Sequence, residues 1–143
     1  MSVLIVGAGI SGLSTAWALA KKGVPVTLLE QGAIPNPLSA SGDQHRIIRR
    51  AYGEQGGYQR RIGDAYAAWD EMWADLGEKH LVETGFLLFS QQDGDGGDEY
   101  RAGLIAGGYP FEDMSASEAA DRFPYIDADS IRWGAFSREG GVL

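Results

Sequence analysis

Three glycines, Gly7, Gly9 and Gly12, with a carboxylate at Glu30, are the first residues of this chain whose types and spacing could do chemistry. That chemistry is the holding of a dinucleotide. Gly7 permits a tight turn, Gly9 lets backbone N–H groups close on a pyrophosphate, and Gly12 lets a helix pack on the preceding strand. Glu30 comes 18 residues after Gly12, where a second strand should deliver a carboxylate to ribose hydroxyls. A carboxylate there repels a 2′-phosphate and so disfavours NADP. The rival reading is a structural βαβ unit without a ligand. The second group lies in Ser39-Ala40-Ser41-Gly42-Asp43-Gln44-His45-Arg46-Ile47-Ile48-Arg49-Arg50-Ala51-Tyr52-Gly53. Arginines three apart among apolar residues are unusual, because burying a guanidinium is costly unless an anion or acceptor meets it. Arginine also grips a planar carboxylate through two parallel hydrogen bonds. The residues alone leave two readings open: anion recognition, or a solvated and salt-bridged cluster.

The elements that must position these groups follow from periodicity. Val3-Leu4-Ile5-Val6 is a continuous apolar run, the pattern of a strand buried on both faces of a parallel sheet. Ile10, Leu13, Ala16, Trp17 and Ala20 recur at helical spacing and predict a helix over Ser11 to Lys22, closed by Gly23. Val24 to Glu30 reads as the second strand, with Pro25 at its entrance. Residues 31–46 hold four glycine or proline breaks, Gly32, Pro35, Pro37 and Gly42, and no sustained period, hence a loop. From Tyr58, an apolar stripe of Ile62, Ala65, Tyr66, Trp69, Met72, Trp73 and Leu76 predicts a long helix that ends at Gly77. Leu81 to Phe89 reads as a strand bent at Gly85, Tyr100 to Ala106 as a helix, and Trp133 to Phe136 as another strand. Ser115 and Glu118 make a capping-box pattern before a short helix that Pro124 closes. The expected class is α/β: a Rossmann-like βαβ unit followed by the start of an α+β portion.

Composition narrows the chemistry. The formal charge of −8 argues against nucleic acid, whose binding needs a positive field. Residues 1–50 nevertheless carry five basic against two acidic side chains, so the positive potential gathers near the candidate anion sites. The absence of cysteine removes disulfides and thiolate chemistry and is compatible with a cytoplasmic setting. No basic leader or apolar run of membrane-spanning length is present, so no signal peptide and no membrane partner are expected. Asp93-x-Asp95 in the acidic stretch Gln91 to Asp98 lacks the remaining ligands of a calcium loop, and no metal site is expected. His45 reads as an ordinary loop histidine, and His80 carries no functional claim.

The opening fingerprint, the segment from Ser41 to Glu54, the aromatic helix after it and Thr84-Gly85-Phe86-Leu87-Leu88-Phe89 together resemble one branch of the D-amino-acid-oxidase-like flavoproteins. That branch holds monomeric sarcosine oxidase and N-methyltryptophan oxidase, and the similarity runs on through Phe136 to Leu143. It implies FAD as cofactor, and oxidation of an amino acid or secondary amine to an imine with hydride passing to flavin. Gly7, Gly9, Ile10, Ser11, Gly12, Glu30, Gln31, Ser41 and Arg46 are then the cofactor candidates, with Arg46 packed near the flavin ring. Arg49 matches the arginine that holds the substrate carboxylate, and Tyr52 matches a pocket aromatic; Arg46 and Arg49 are the candidates for the catalytic centre. The implied division is an FAD-binding part over 1–80, a substrate-domain segment over 81–137, and a return to the FAD domain over 138–143. Members of this family are well over twice this length. The expectation is therefore the N-terminal FAD-binding portion of such an enzyme, an oxidoreductase by family, with catalysis by this chain alone left open. Two alternatives are an inert remnant or subunit completed by a second polypeptide, and an NAD-dependent oxidoreductase, which leaves the arginine segment unexplained.

Overall fold

A computed structural model describes residues 1–42, 45–53 and 56–143; Asp43, Gln44 and Glu54 of the arginine segment, with Gln55, lie outside the described residues. The chain forms two compact units, Met1–Arg46 and Ile47–Leu143.

The first unit is a βαβ arrangement of β1 (Val3–Val6), α1 (Ile10–Lys21) and β2 (Val26–Leu29). The two strands run parallel in a register from Val3 opposite Val26 to Val6 opposite Leu29. Pro25 sits just before β2, where it needs no N–H and offers its carbonyl to Val3 N at 2.9 Å. The apolar run of β1 is not buried on both faces. Val3 and Ile5 are half-buried, whereas Leu4 and Val6 are exposed, and β2 alternates in the same way. A two-stranded sheet with a single helix has one face left over, so an all-apolar strand shows alternate residues to solvent.

The second unit begins with β3 (Ile47–Arg49) and the long helix α2 (Gly56–Leu76). The aromatic stripe turns α2 inward: Ile62 and Trp73 are buried, and Trp69 stacks on Trp73 at 5.6 Å. Next come β4 (Phe86–Ser90), α3 (Gly96–Gly107), β5 (Glu112–Ser115), α4 (Ala116–Arg122), a single 3₁₀ turn (Ala128–Ser130), β6 (Trp133–Ser137) and β7 (Gly140–Val142). β6 is the middle strand of an antiparallel sheet in the order β4, β6, β5. Alternation along β4 divides two clusters. Phe86 and Leu88 pack with Ala51, Leu104 and Tyr100. Leu87 packs with Met114, Ala119, Ile131 and Phe136.

The capping box at Ser115 is complete: Glu118 N–H donates to Ser115 Oγ, and Ser115 N–H donates to the Glu118 carboxylate at 2.7 Å. Helix α3 starts earlier than the periodicity predicts, because Asp95, read as part of an acidic turn, is its N-cap and accepts from Gly97 N and Asp98 N. The Gln91 N–H, with those of Gln92 and Asp98, holds the Asp95 carboxyl down at about 2. The expected single strand from Leu81 to Phe89 divides at Gly85: Val82 bridges to Val142, while 86–90 pairs with β6.

β7 carries the part of the unit that matters most here. It pairs antiparallel with β3, placing Arg49 opposite Gly140, and meets Val82 on its other side. The segment after β3 is held by α3 at Gly103, where a Cβ would stand 2.9 Å from Gly53 N and 3.0 Å from Gln59 Oε1. Gly103→Ala should therefore destabilise the unit by about 1–3 kcal/mol, measured by urea unfolding followed through tryptophan fluorescence; an unchanged midpoint would show that α3 can yield there.

Candidate functional site

Within the first unit, the glycine turn and the loop after β2 enclose a hollow of about 330 Å³. Val6, Gly7, Gly9, Ile10, Ser11 and Gly12 line one side, and Ser39, Ala40 and Ser41 line the other. The geometry follows from backbone approach. A Cβ on Gly12 would run into the Gly7 carbonyl oxygen, so only glycine lets α1 begin this close to β1. A Cβ on Gly9 would meet nothing within 4 Å, which leaves open space at the mouth of the helix. Helix α1 has Gly9 as its N-cap, with no side-chain cap and no acid in its first turn. Its first N–H groups have no intrahelical acceptor, and together with the positive helix end they form a setting for an anion. The glycines, Ile10, Ser11 and Ser41 are thus brought to one place, and the residues present fit a pyrophosphate.

Glu30, just past the end of β2, reaches back to the turn. Its Oε2 accepts from Ala8 N at 2.8 Å and its Oε1 from Gly32 N at 3.0 Å. The Ala8 N–H, then that of Gly32, favours the ionised form and holds this carboxyl below its ordinary value of 4.5. Gln31 is exposed beside it and also favours the ionised form through its backbone. Arg46 is exposed and hydrogen-bonds to the Ala40 carbonyl, next to the loop that lines the hollow. Ser39 and Ala40 stood in the candidate segment without a role of their own, as neighbours of Ser41. Their further signal was membership of a long glycine- and proline-rich loop beside a phosphate-type turn.

In the second unit, Arg49 and Tyr52 lie together. The guanidinium of Arg49 stands 5.2 Å from the centre of the Tyr52 ring and 5.3 Å from that of Tyr100. Its Nε donates to the Ala51 carbonyl at 3.1 Å. The neighbouring Arg50 is set in a parallel arrangement, 4.1 Å from the Tyr66 ring and 4.9 Å from that of Tyr109, and it is ion-paired with Glu139. Burial pushes the Tyr66 hydroxyl up, while Arg50 opposes the shift. Arg101, Arg122 and Arg132 likewise face carboxylates, on Asp113, Glu112 and Asp98. Among the described residues, Arg49 is half-buried with no carboxylate in reach. The solvated-cluster reading of the arginine segment thus fits Arg50, with its internal partner, better than Arg49. Among the described residues no group of His, Asp or Glu could hold a metal ion, and no helix is long and apolar enough to cross a membrane.

A family model for FAD dependent oxidoreductases matches residues 2–143. Peroxisomal sarcosine oxidase of Mus musculus is 34% identical over 140 residues, covering 98% of this chain and 36% of the relative. N-methyl-L-tryptophan oxidase of Yersinia pestis (strain Pestoides F) is 21% identical over 141 residues, covering 99% of this chain and 38% of the relative. The open form of NikD, an amino acid oxidase essential for nikkomycin biosynthesis, shares the fold with a TM-score of 0.81 at 23% identity, covering 99% of this chain and 37% of that one. The chain spans a little over a third of the length of these proteins.

The contact between Glu30 and the turn has a definite pH dependence. A carboxyl whose folded value is lowered stabilises the fold above its ordinary value and loses that contribution as the pH falls through the lowered one. The amide resonances of Ala8 and Gly32 should therefore move together in an acid titration, with one midpoint below 4.5. Independent midpoints, or a shared one above that value, would remove Glu30 as the tie.

Proposed function

Because this chain belongs to the family of FAD dependent oxidoreductases, we propose that it is the cofactor-gripping portion of an enzyme that oxidises the C–N bond of an amino acid or secondary amine. The family match favours FAD over NAD as the dinucleotide in the hollow. FAD, when bound, supplies the acceptor for a hydride from the carbon of that C–N bond. The N–H groups of Ile10, Ser11 and Gly12 bind the diphosphate, Gly9 keeps its approach open, and Glu30 accepts from ribose hydroxyls. Gln31 and Ser41 border the same cofactor, and Arg46 is assigned to its flavin end. Arg49 and Tyr52 take the carboxylate end of the substrate. The division into 1–80, 81–137 and 138–143 as cofactor, substrate and returning cofactor parts belongs to the same reading, as does a cytoplasmic setting.

The observation that carries the proposal is Arg49. A half-buried guanidinium held against aromatic faces, with no carboxylate paired to it among the described residues, is costly to keep unless an external anion completes it. A carboxylate fits because its two oxygens match the paired donors of the guanidinium. Sarcosine and N-methyl-L-tryptophan, which the relatives are named for, each carry a carboxylate and an N-methylated amine.

A second reading, a subunit completed by another polypeptide, is favoured by one feature of the first unit. Leu4, Val6 and Leu29 are 60%, 81% and 50% exposed on the same small sheet. Such a surface invites a covering layer. In that case the partner contributes structure, while the cofactor and carboxylate contacts stay with this chain.

Two experiments test the proposal. The purified chain, reconstituted with FAD and followed by flavin fluorescence, should bind the cofactor, and Gly9→Val or Glu30→Ala should weaken that binding about tenfold or more. Unaltered FAD binding in both variants would exclude the glycine turn as the cofactor site. Arg49→Met should abolish any response of the chain to acetate while leaving FAD binding in place; a retained acetate response would move the carboxylate site elsewhere.

A further inference from the structure

Two arginines adjacent in sequence, Arg49 and Arg50, are held in matching ways, and comparing them assigns a residue that the sequence did not single out. Arg50 lies against the rings of Tyr66 and Tyr109 and has Glu139 as its anion. Arg49 lies against the rings of Tyr52 and Tyr100 and has none among the described residues. The chain thus contains its own reference case: two tyrosine faces hold a guanidinium, and a carboxylate completes it. In the second instance the two faces are present and the carboxylate is left to a ligand.

Tyr100 comes from α3, far from Arg49 in sequence, and the fold delivers it by a specific route. Gly103 lets α3 lie directly on the segment containing Gly53. Tyr100 is three residues earlier, so it projects from the same face of the helix, toward the same segment. It also packs against the cluster of Ala51, Phe86 and Leu104, which fixes the ring. The Arg49 Nε donates to the Ala51 carbonyl at 3.1 Å, and the neighbouring rings of Tyr52 and Tyr100 limit the remaining rotation of the guanidinium.

We propose that Tyr100 is a positioning residue for a carboxylate site at Arg49: its ring, together with that of Tyr52, holds the guanidinium so that its terminal N–H pair meets one carboxylate. The proposal rests on the carboxylate reading of Arg49 given above and adds a specificity device to it. A ring face attracts the cation without neutralising it as a second carboxylate would, so the site keeps a single positive charge for a mono-anion.

The test uses the 143-residue chain labelled with ¹⁵N, with the arginine Nε–Hε resonances followed during titration with acetate, and with acetamide as the neutral control. The unaltered chain should respond to acetate at Arg49 and not at Arg50, and acetamide should move neither. Tyr100→Phe, which keeps the ring, should bind acetate as the unaltered chain does. Tyr100→Leu, which keeps an apolar side chain without the ring face, should bind it between about twofold and thirtyfold more weakly. Should Tyr100→Leu fail to fold, Tyr100→Met makes the same comparison. Rescue by Phe separates positioning of the cation from a hydroxyl contact to the ligand. Acetate affinity unchanged in the folded variant without the ring overturns the role of Tyr100 and leaves the reading of Arg49 intact. No response to acetate at Arg49 in the unaltered chain overturns both.

Discussion

A positive charge drawn partly out of water has to be met by something, and the second unit is arranged around how two such charges are met. At Arg50 the answer is internal, with Glu139 across the β3–β7 pair and the rings of Tyr66 and Tyr109 close by. At Arg49 the rings are there, but among the described residues no carboxylate pairs with it. Much of the local architecture bears on that difference. β7 fixes β3 by pairing Gly140 with Arg49, and the close seat of α3 at Gly103 brings in a side chain from another part of the sequence. An unbalanced charge is tolerable when its surroundings are ordered enough to offer it to a partner.

The first unit solves a different problem with the same economy of parts. Its hollow needs backbone donors, and backbone donors are exposed by leaving things out: no side chain at Gly9, no side-chain cap on α1 and no acid in the first turn. The carboxylate of Glu30 then ties the turn to the loop after β2. The two compact units divide between Arg46 and Ile47, so the arginine segment that reads as one motif serves two bodies. Arg46 goes with the loop lining the hollow, and Arg49 goes with the strand that β7 holds.

What the sequence revealed and what it hid separate along the range of the interactions. The βαβ unit, the stripe of α2 and the capping box at Ser115 are local patterns, each written within a turn or two of chain, and each is found close to where the spacing placed it. β3, β5 and β7 are three or four residues long, and their partners lie far away. Glu112-Asp113-Met114-Ser115 has no strand-like composition and becomes a strand because β6 offers it a ladder. Asp95 looked like turn chemistry because capping and turn signals use the same residue types. In the candidate site, the glycines and Glu30 were marked by their fixed spacing, whereas the arginine spacing left two readings open and only the resemblance singled out Arg49. Tyr100 was marked by neither, since nothing near it in sequence records which arginine the fold will set beneath it.

The double engagement of Glu30 bears on the entropy of recognition. A free glutamate samples several rotamers, and a ligand that needs one of them must overcome that loss of freedom on arrival. Here both oxygens are already anchored, one to Ala8 and one to Gly32, while each keeps a lone pair for a further donor. In the proposed role, an incoming hydroxyl would meet an acceptor whose orientation was set when the strand and the turn came together, the disorder of that side chain being removed by folding and not by binding.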